Sequence, residues 1–191
     1  MERLKQFIEQ LPSLTREEKE KAFLLFREKT LRKNEHLLRA GEICKQNTYV
    51  LKGCLRIYSV NDKQKESIVS FAFEDFWIGD LNSFFKQIPS VENIQALEDC
   101  ELAVIPRDDF IFLMETYPAV KEVQLQKITN SYTKITQKHA DDRLITAEER
   151  YMNLVKERPD IIQRIPQQFI AQYLGIEAPS LSRIRKRIAG K

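Results

Sequence analysis

The chain has 191 residues, of which 42% are hydrophobic and 31% are charged, a composition that is typical of a globular protein and excludes wholesale disorder. The net charge of +3 does not by itself indicate a nucleic-acid partner, but the last basic residues, from Arg183 to Lys191, have no acidic residue among them. No run of about 18 apolar residues occurs and the N-terminus is charged, so the sequence predicts neither a transmembrane helix nor a signal peptide.

The cysteines and histidines do not form a recognisable metal motif. Cys44, Cys54 and Cys100 are widely spaced and contain no C-x-x-C pair, which favours reduced thiols in a cytoplasmic protein. His36 and His139 are too far apart in the sequence to complete a zinc or iron–sulfur site. We therefore expect no metal and no cofactor.

The first thirty residues have helical periodicity. Apolar residues such as Leu4, Ile8 and Leu11 recur at helical spacing, and Thr15 with Glu18 forms a capping-box signature. From about Leu31 to Pro106 the apolar period falls toward two in short runs separated by turn-rich segments, which predicts an antiparallel sandwich or roll.

A long helix follows the strands. Helical periodicity returns near Asp108 and continues past Pro118 toward Leu144. Its apolar residues alternate steps of three and four, which predicts a narrow stripe that packs against one partner helix. The partner is either the same helix of a second copy, in a homodimer, or the chain's own roll. The residues of this candidate dimer interface are Leu125, Ile128, Tyr132, Ile135 and His139.

Two short helical patterns with a glycine between them occupy the C-terminal segment. Pro166 suits the first turn of a helix, Gly175 suits a left-handed C-cap, and Pro179 begins a second helix. This is the arrangement of a helix-turn-helix with a basic outer face, although a solvated basic helical hairpin has the same pattern. Arginine matches guanine edges, and hydroxyl, amide and lysine groups suit phosphates. The candidate DNA-binding residues are Gln167, Gln168, Ser180, Ser182, Arg183, Lys186 and Arg187.

The whole order of elements resembles the Crp/Fnr family of bacterial transcription regulators. The resemblance spans nearly the full chain, and its most specific stretches are "AGE", "YVLKGCLRIY", "FWIGDL" and "IAQYLGIEAPSLSRIRKR", the last of which is similar to the variant common in the Bacteroidetes branch. It implies an α+β fold: a cyclic-nucleotide-binding-like antiparallel β-roll with flanking helices at 1–116, a central dimerisation helix at 117–140, and a helix-turn-helix domain at 141–191. No residues follow Lys191 to build the usual C-terminal wing, so we expect that wing to be absent.

The resemblance also defines an effector pocket, which departs from the family pattern. Nucleotide-binding members hold the ribose with a Gly-Glu pair and the cyclic phosphate with an Arg-Ser/Thr-Ala segment. The corresponding residues are Gly79, Asp80 and Leu81, followed by Ser90 and Val91 with Glu92 next to them. The arginine is missing and a carboxylate stands near the phosphate position, so we expect an effector other than cyclic AMP, or none.

The recognition helix departs from the family archetype as well. Ala178 and Pro179 occupy the positions of an Arg-Glu pair, whereas Arg183 keeps the third base-reading position. Arg183 is therefore the best candidate for a guanine contact, and the operator should differ from that of the archetype.

The sequence thus predicts a cytoplasmic, homodimeric transcription regulator. Its expected partners are double-stranded DNA, a second copy of the chain, and a possible small-molecule effector, and the resemblance adds RNA polymerase. The alternative is a ligand-binding module that acts on a protein partner through the long helix without reading DNA. No nucleophile–base pair, metal cluster or Gly-rich phosphate loop is visible, so we do not expect an enzyme.

Overall fold

A computed structural model of the chain describes residues 1–189, except for the side chains at 134, 139, 142, 143 and 189. The predicted interface residue His139 therefore lies outside the described side chains. The described helices, in chain order, are α1 Glu2–Glu9, α2 Arg16–Leu24, α3 Leu81–Lys86, α4 Arg107–Thr116, α5 Pro118–Leu144, α6 Ala147–Glu157, α7 Ile161–Arg164, α8 Gln167–Tyr173 and α9 Ala178–Ala189.

The strands form two antiparallel sheets. Their order is β1-β8-β3-β6 in one sheet and β2-β7-β4-β5 in the other. The strands are β1 Arg27–Leu31, β2 His36–Leu38, β3 Gln46–Lys52, β4 Leu55–Val60, β5 Glu66–Ala72, β6 Trp77–Ile78, β7 Asn93–Ala96 and β8 Cys100–Pro106. The predicted α+β class with an antiparallel roll is confirmed.

The chain divides into two compact units. The first comprises Met1–Ser59 and Ser70–Ile128, and the second comprises Val60–Val69 and Thr129–Lys191. The division falls inside α5, between Ile128 and Thr129, whereas the sequence placed boundaries at 116/117 and 140/141. Those domain boundaries stay predictions.

One local expectation was wrong. The prediction of helix through the first thirty residues fails at Arg27, where β1 begins and pairs with β8 in the register Arg27 to Val104. In β1 only Leu31 is buried. A strand with so few buried side chains has no apolar alternation, and β1 is defined instead by its hydrogen bonds to β8.

The capping signals, in contrast, act as the sequence indicates. Thr15 accepts the Glu18 amide at 3.3 Å, while the Glu18 carboxylate accepts the Thr15 amide at 2.7 Å. Thr146 and Glu149 repeat this reciprocal pair at the start of α6. Each box satisfies amide groups that the first helical turn leaves without partners, which fixes where the helix begins.

The core of the first unit lies between the sheets and the helices that flank them. Its fully buried side chains come from α1 and from the central strands, and include Leu4, Val50, Leu55, Ile94 and Leu102. Gly53 connects β3 to β4 with φ +102°. This roll supports the segment from Gly79 to Val91, which the sequence identified as a candidate effector pocket.

Candidate nucleic-acid interface and effector segment

The turn between α8 and α9 is a glycine C-cap. Gly175 has φ +67°, a left-handed conformation that glycine adopts without the penalty of a Cβ. The Ile176 amide donates to the Ala171 carbonyl at 3.0 Å and the Gly175 amide donates to the Gln172 carbonyl at 3.1 Å. This pair of bonds is a Schellman motif, which ends α8 and sets the direction in which α9 leaves.

The inner faces of the two helices are buried. Ile170 and Leu174 of α8 are 1% and 3% exposed, and Leu181 and Ile184 of α9 are 0% and 7% exposed. Arg150 of α6 donates to the Leu174 carbonyl at 3.1 Å, which satisfies an acceptor at the end of α8. The helix pair is thus anchored on one side, and its outer side carries the basic residues.

The structure brings the predicted DNA-binding residues onto these two helices. Two residues lie at the start of α8, and the others lie along α9. Both serines are half-buried, and the remaining predicted side chains are exposed: Gln167, Gln168, Arg183, Lys186 and Arg187. Hydrogen-bonding and positively charged side chains are therefore presented together on one short helical pair.

Two of these side chains already have partners within the chain. Arg183 donates to the Ser180 hydroxyl at 3.2 Å, so the arginine that the sequence predicts to contact a base and a serine predicted to bind DNA are adjacent on α9. Arg187 forms an ion pair and hydrogen bond with Glu148 of α6. Arg187 is 58% exposed and Glu148 is 20% exposed, so this pair lies at the edge of the helical core.

The predicted effector residues form one connected segment. Asp80 is the N-cap of α3, and its carboxylate accepts the Ser83 amide at 3.0 Å. Ser90 is buried, and its amide and carbonyl bond to the Glu42 carbonyl at 2.8 Å and the Gly41 amide at 2.7 Å. Leu81 and Val91 are 36% and 77% exposed, and a Cβ added at Gly79 would lie 3.7 Å from the Cys44 sulfur, an ordinary contact distance.

The hydroxyl groups of this segment are used internally. The Ser83 hydroxyl accepts the Cys44 amide at 2.8 Å and donates to the Ile88 carbonyl at 2.6 Å. The Ser90 hydroxyl donates to the Glu92 carbonyl at 3.0 Å. These hydrogen bonds tie the loop between α3 and β7 to the roll.

Two acidic residues, Asp80 within the segment and Glu92 directly after it, influence each other. Burial raises the pKa of Glu92, and the carboxylate of the nearby Asp80 raises it further. Two acidic groups close enough to affect each other make a poor site for a phosphate, because desolvating an anion beside carboxylates is costly. The expectation of an effector other than cyclic AMP stays a prediction.

The apolar stripe of α5 is accessible in the single chain. Leu125, Tyr132 and Ile135 are 64%, 68% and 50% exposed, and Ile128 is half-buried. Large exposed apolar side chains aligned along one helix are typical of a surface that a partner covers.

Sequence reasoning missed a lysine that lies among aromatic rings. Lys127 of α5 places its Nζ 4.0 Å from the ring centroids of both Phe7 and Trp77. Burial lowers its pKa to about 7. The tertiary fold encloses this amine, whereas in the sequence it is one lysine among many on a helix.

Metal ligands, thiols and apolar helices are the remaining features of the described residues that bear on function. No group of three or more His, Cys, Asp or Glu side chains among the described residues could hold a metal ion. All three cysteines are buried and none of them forms a disulfide, and burial raises the pKa of the Cys100 thiol to about 11. Among the described residues, no helix is long and apolar enough to cross a membrane.

Comparison with known proteins gives one domain match and many structural matches. Residues 28–117 match the cyclic nucleotide-binding domain family. FixK2 from Bradyrhizobium japonicum has a TM-score of 0.76 at 15% identity, over 86% of this chain and 85% of that chain. The c-di-GMP responsive regulator CLP from Xanthomonas campestris has a TM-score of 0.67 at 17% identity, over 90% of each chain.

A protein from Eubacterium rectale described as a Crp/Fnr-family transcriptional regulator has a TM-score of 0.72 at 17% identity, over 92% of this chain and 84% of that chain. No curated protein matches the chain. At these identities the structural matches establish the fold, and the domain match identifies the roll.

Proposed function

We propose that this chain, which contains a cyclic nucleotide-binding domain and has the fold of the Crp/Fnr transcription regulators that its sequence resembles, is itself a DNA-binding transcription regulator. It acts in the cytoplasm as a homodimer on a palindromic operator. The observation that carries the proposal is the α8–α9 pair, in which a glycine C-cap orients a basic helix whose inner face is buried and whose outer face presents Arg183, Lys186 and Arg187.

Each helix has a distinct task in this proposal. α9 enters the major groove, where the forked guanidinium of Arg183 contacts a guanine. Ser180, Ser182, Gln167, Gln168 and Lys186 bind phosphates along the two helices. Because Ser180 accepts a hydrogen bond from Arg183, it also restricts the arginine to fewer rotamers before DNA arrives.

The homodimer is supported by the stripe on α5. Burying Leu125, Tyr132 and Ile135 of two chains against each other removes from water side chains that are at least half exposed in one chain. The paired helices then set the spacing of two recognition helices, which fits half-sites about one helical turn apart.

The effector is proposed to be something other than cyclic AMP. Asp80 and Glu92 are acidic, and the hydroxyl groups of Ser83 and Ser90 already form hydrogen bonds within the chain. Lys86, in α3, is the lysine of this segment that could offer a phosphate a positive charge. An effector acts by binding the DNA-competent dimer more tightly than the other form, so its site must differ between the two.

A salt series of DNA binding tests the function. The dimer should bind a pool of genomic duplexes, and its affinity should fall steeply as salt screens the phosphate contacts. Arg183→Ala should relax sequence preference by about 1–3 kcal/mol of discrimination at one base pair. Arg32→Ala, an exposed arginine outside α8 and α9, is the matched control. If no duplex is retained at moderate salt, with or without cell extract, the chain does not read DNA and a protein partner on α5 becomes the better explanation.

A further inference from the structure

A cavity of about 170 Å³ lies in the roll between β3, β6 and β7. Gly79 is the predicted effector residue that lines this cavity. The cavity therefore adjoins the segment from Gly79 to Val91 but does not coincide with it. Its volume is several times the share of about 30 Å³ that one molecule has in liquid water, which leaves room for at least about five non-hydrogen atoms.

The inner part of the cavity is apolar. Leu38, Ile78 and Ile94 line it and are 6%, 3% and 0% exposed, so they belong to the fixed core of the roll. Walls of this kind favour the methylene groups of a ligand and discriminate by shape.

One polar group in the lining lacks a partner. The hydroxyl of Thr48 is buried and makes no hydrogen bond with any described residue, and the residue as a whole is 1% exposed. Leaving a buried hydroxyl unsatisfied is unfavourable, so native proteins give nearly all such groups a partner. In this cavity a ligand group or a water molecule can supply it.

The outer part of the cavity is basic. Lys29 is half-buried, Lys45 is exposed, and neither forms an ion pair with a residue that the structure describes. The acid in the lining is Glu42, whose carboxylate accepts the Arg39 amide at 2.9 Å. Asp80 lies behind the wall near Cys44, and its carboxylate caps α3.

We propose that this cavity binds a short-chain monocarboxylic acid that carries a second hydrogen-bonding group. Its carboxylate lies between Lys29 and Lys45, its methylene groups contact Leu38, Ile78 and Ile94, and its second polar group bonds the Thr48 hydroxyl. The two lysines exceed the single acid in the lining by one charge, which favours a singly charged ligand over a phosphate dianion.

The role of this cavity as an effector site rests on the proposed function, because only a transcription regulator would couple binding of the ligand to binding of DNA. Ligand binding itself does not depend on DNA, so the two are tested separately. Calorimetric titration of the full chain without DNA uses butyrate, 4-hydroxybutyrate, the uncharged 1,4-butanediol and inorganic phosphate as probes. We expect 4-hydroxybutyrate to bind about three- to tenfold more tightly than butyrate, as one hydrogen bond allows, and the diol at least tenfold more weakly.

Variants separate the two contacts. Lys29→Met combined with Lys45→Met should weaken both acids about tenfold or more, whereas Lys5→Met combined with Lys33→Met, two exposed lysines outside the cavity, should leave both affinities unchanged. Thr48→Val keeps the shape of the side chain and removes the hydroxyl, so it should abolish the preference for 4-hydroxybutyrate while butyrate still binds. Thermal melting of each variant verifies that it is folded.

Several results would overturn the site. These are absence of binding by either acid at millimolar concentration, equal binding of the diol, tighter binding of phosphate, or an unchanged preference in Thr48→Val. If the acids bind as expected but do not alter affinity for any duplex, the ligand site stands and its regulatory role does not.

Discussion

Glu148 on α6 holds Arg187 on α9 in an ion pair, which places a carboxylate of the supporting helix against a predicted DNA-binding residue. Arg187 can bind DNA only by leaving that carboxylate or by sharing it. Glu148 therefore limits the positive potential of α9 in the free chain.

Glu148→Gln should strengthen DNA binding. The variant removes the competing charge, and surface pairs of this kind contribute about 0–1 kcal/mol, so the affinity should rise up to about fivefold. Filter binding or fluorescence anisotropy over a salt series measures it, and the salt slope should become steeper as Arg187 joins the phosphate contacts. Glu157→Gln, an exposed acid at the end of the same helix, serves as control. Equal effects of the two substitutions would mean that overall charge, and not this pair, controls binding.

Leu125→Asp combined with Ile135→Asp should convert a dimer into monomers. The two positions lie on the exposed stripe of α5, and two carboxylates there would have to be desolvated at the interface. Sedimentation equilibrium of the wild type and the variant measures the change. The control is Gln126→Asp, which changes an exposed residue next to Leu125 but outside the apolar stripe and should leave the association unchanged. A wild-type chain that is monomeric at micromolar concentration would contradict the dimer.

Gly53→Ala should destabilise the roll by about 2–4 kcal/mol. A Cβ at this position would lie 2.6 Å from the Cys100 sulfur and 2.9 Å from the Asp99 carbonyl oxygen, and φ is +102°. Gly41→Ala separates the two causes, because φ there is +91° and a Cβ would meet no atom within 4 Å. We expect a loss of only about 1 kcal/mol at Gly41 in urea unfolding. Similar losses of unfolding free energy at both positions would show that small shifts of the chain relieve the steric overlap with Cys100.

Lys127→Met should stabilise the chain in a pH-dependent way. The folded pKa of Lys127 is about 7, below its ordinary value of 10.5, because burial disfavours the charged amine. Below pH 7 both folded and unfolded chains hold the proton, so the wild type bears the full penalty. Between pH 7 and 10.5 the unfolded chain holds more protons, and wild-type stability should rise by up to about 1.4 kcal/mol per pH unit.

The advantage of the methionine variant should therefore be largest at or below pH 7 and shrink as the pH rises. Urea unfolding at several pH values checks this, with Lys121→Met, an exposed lysine of α5, as the matched variant. A constant difference between Lys127→Met and wild type across the range would indicate that the two aromatic rings keep the amine charged.

Local signals in the sequence were sufficient for most of the elements. Thr15 with Glu18 begins a helix and Gly175 ends one because capping and left-handed geometry depend on neighbours within a few residues. The order of helices, strands and helices, together with the motif around Gly79, was enough to predict the α+β fold and its resemblance to the Crp/Fnr family. The Bacteroidetes branch and the individual DNA contacts stay predictions.

What the tertiary structure alone decided are the properties that depend on distant partners. The sequence of β1 predicts a helix, and it is the hydrogen bonds to β8 that make it a strand. Lys127 becomes a buried amine because Phe7 and Trp77 enclose it in the folded chain. The orphan hydroxyl of Thr48 and the lysines around its cavity come from separate strands and loops. Periodicity and motifs encode which side of an element is apolar, but burial, pKa and missing hydrogen bonds arise from the packing of segments far apart in the chain.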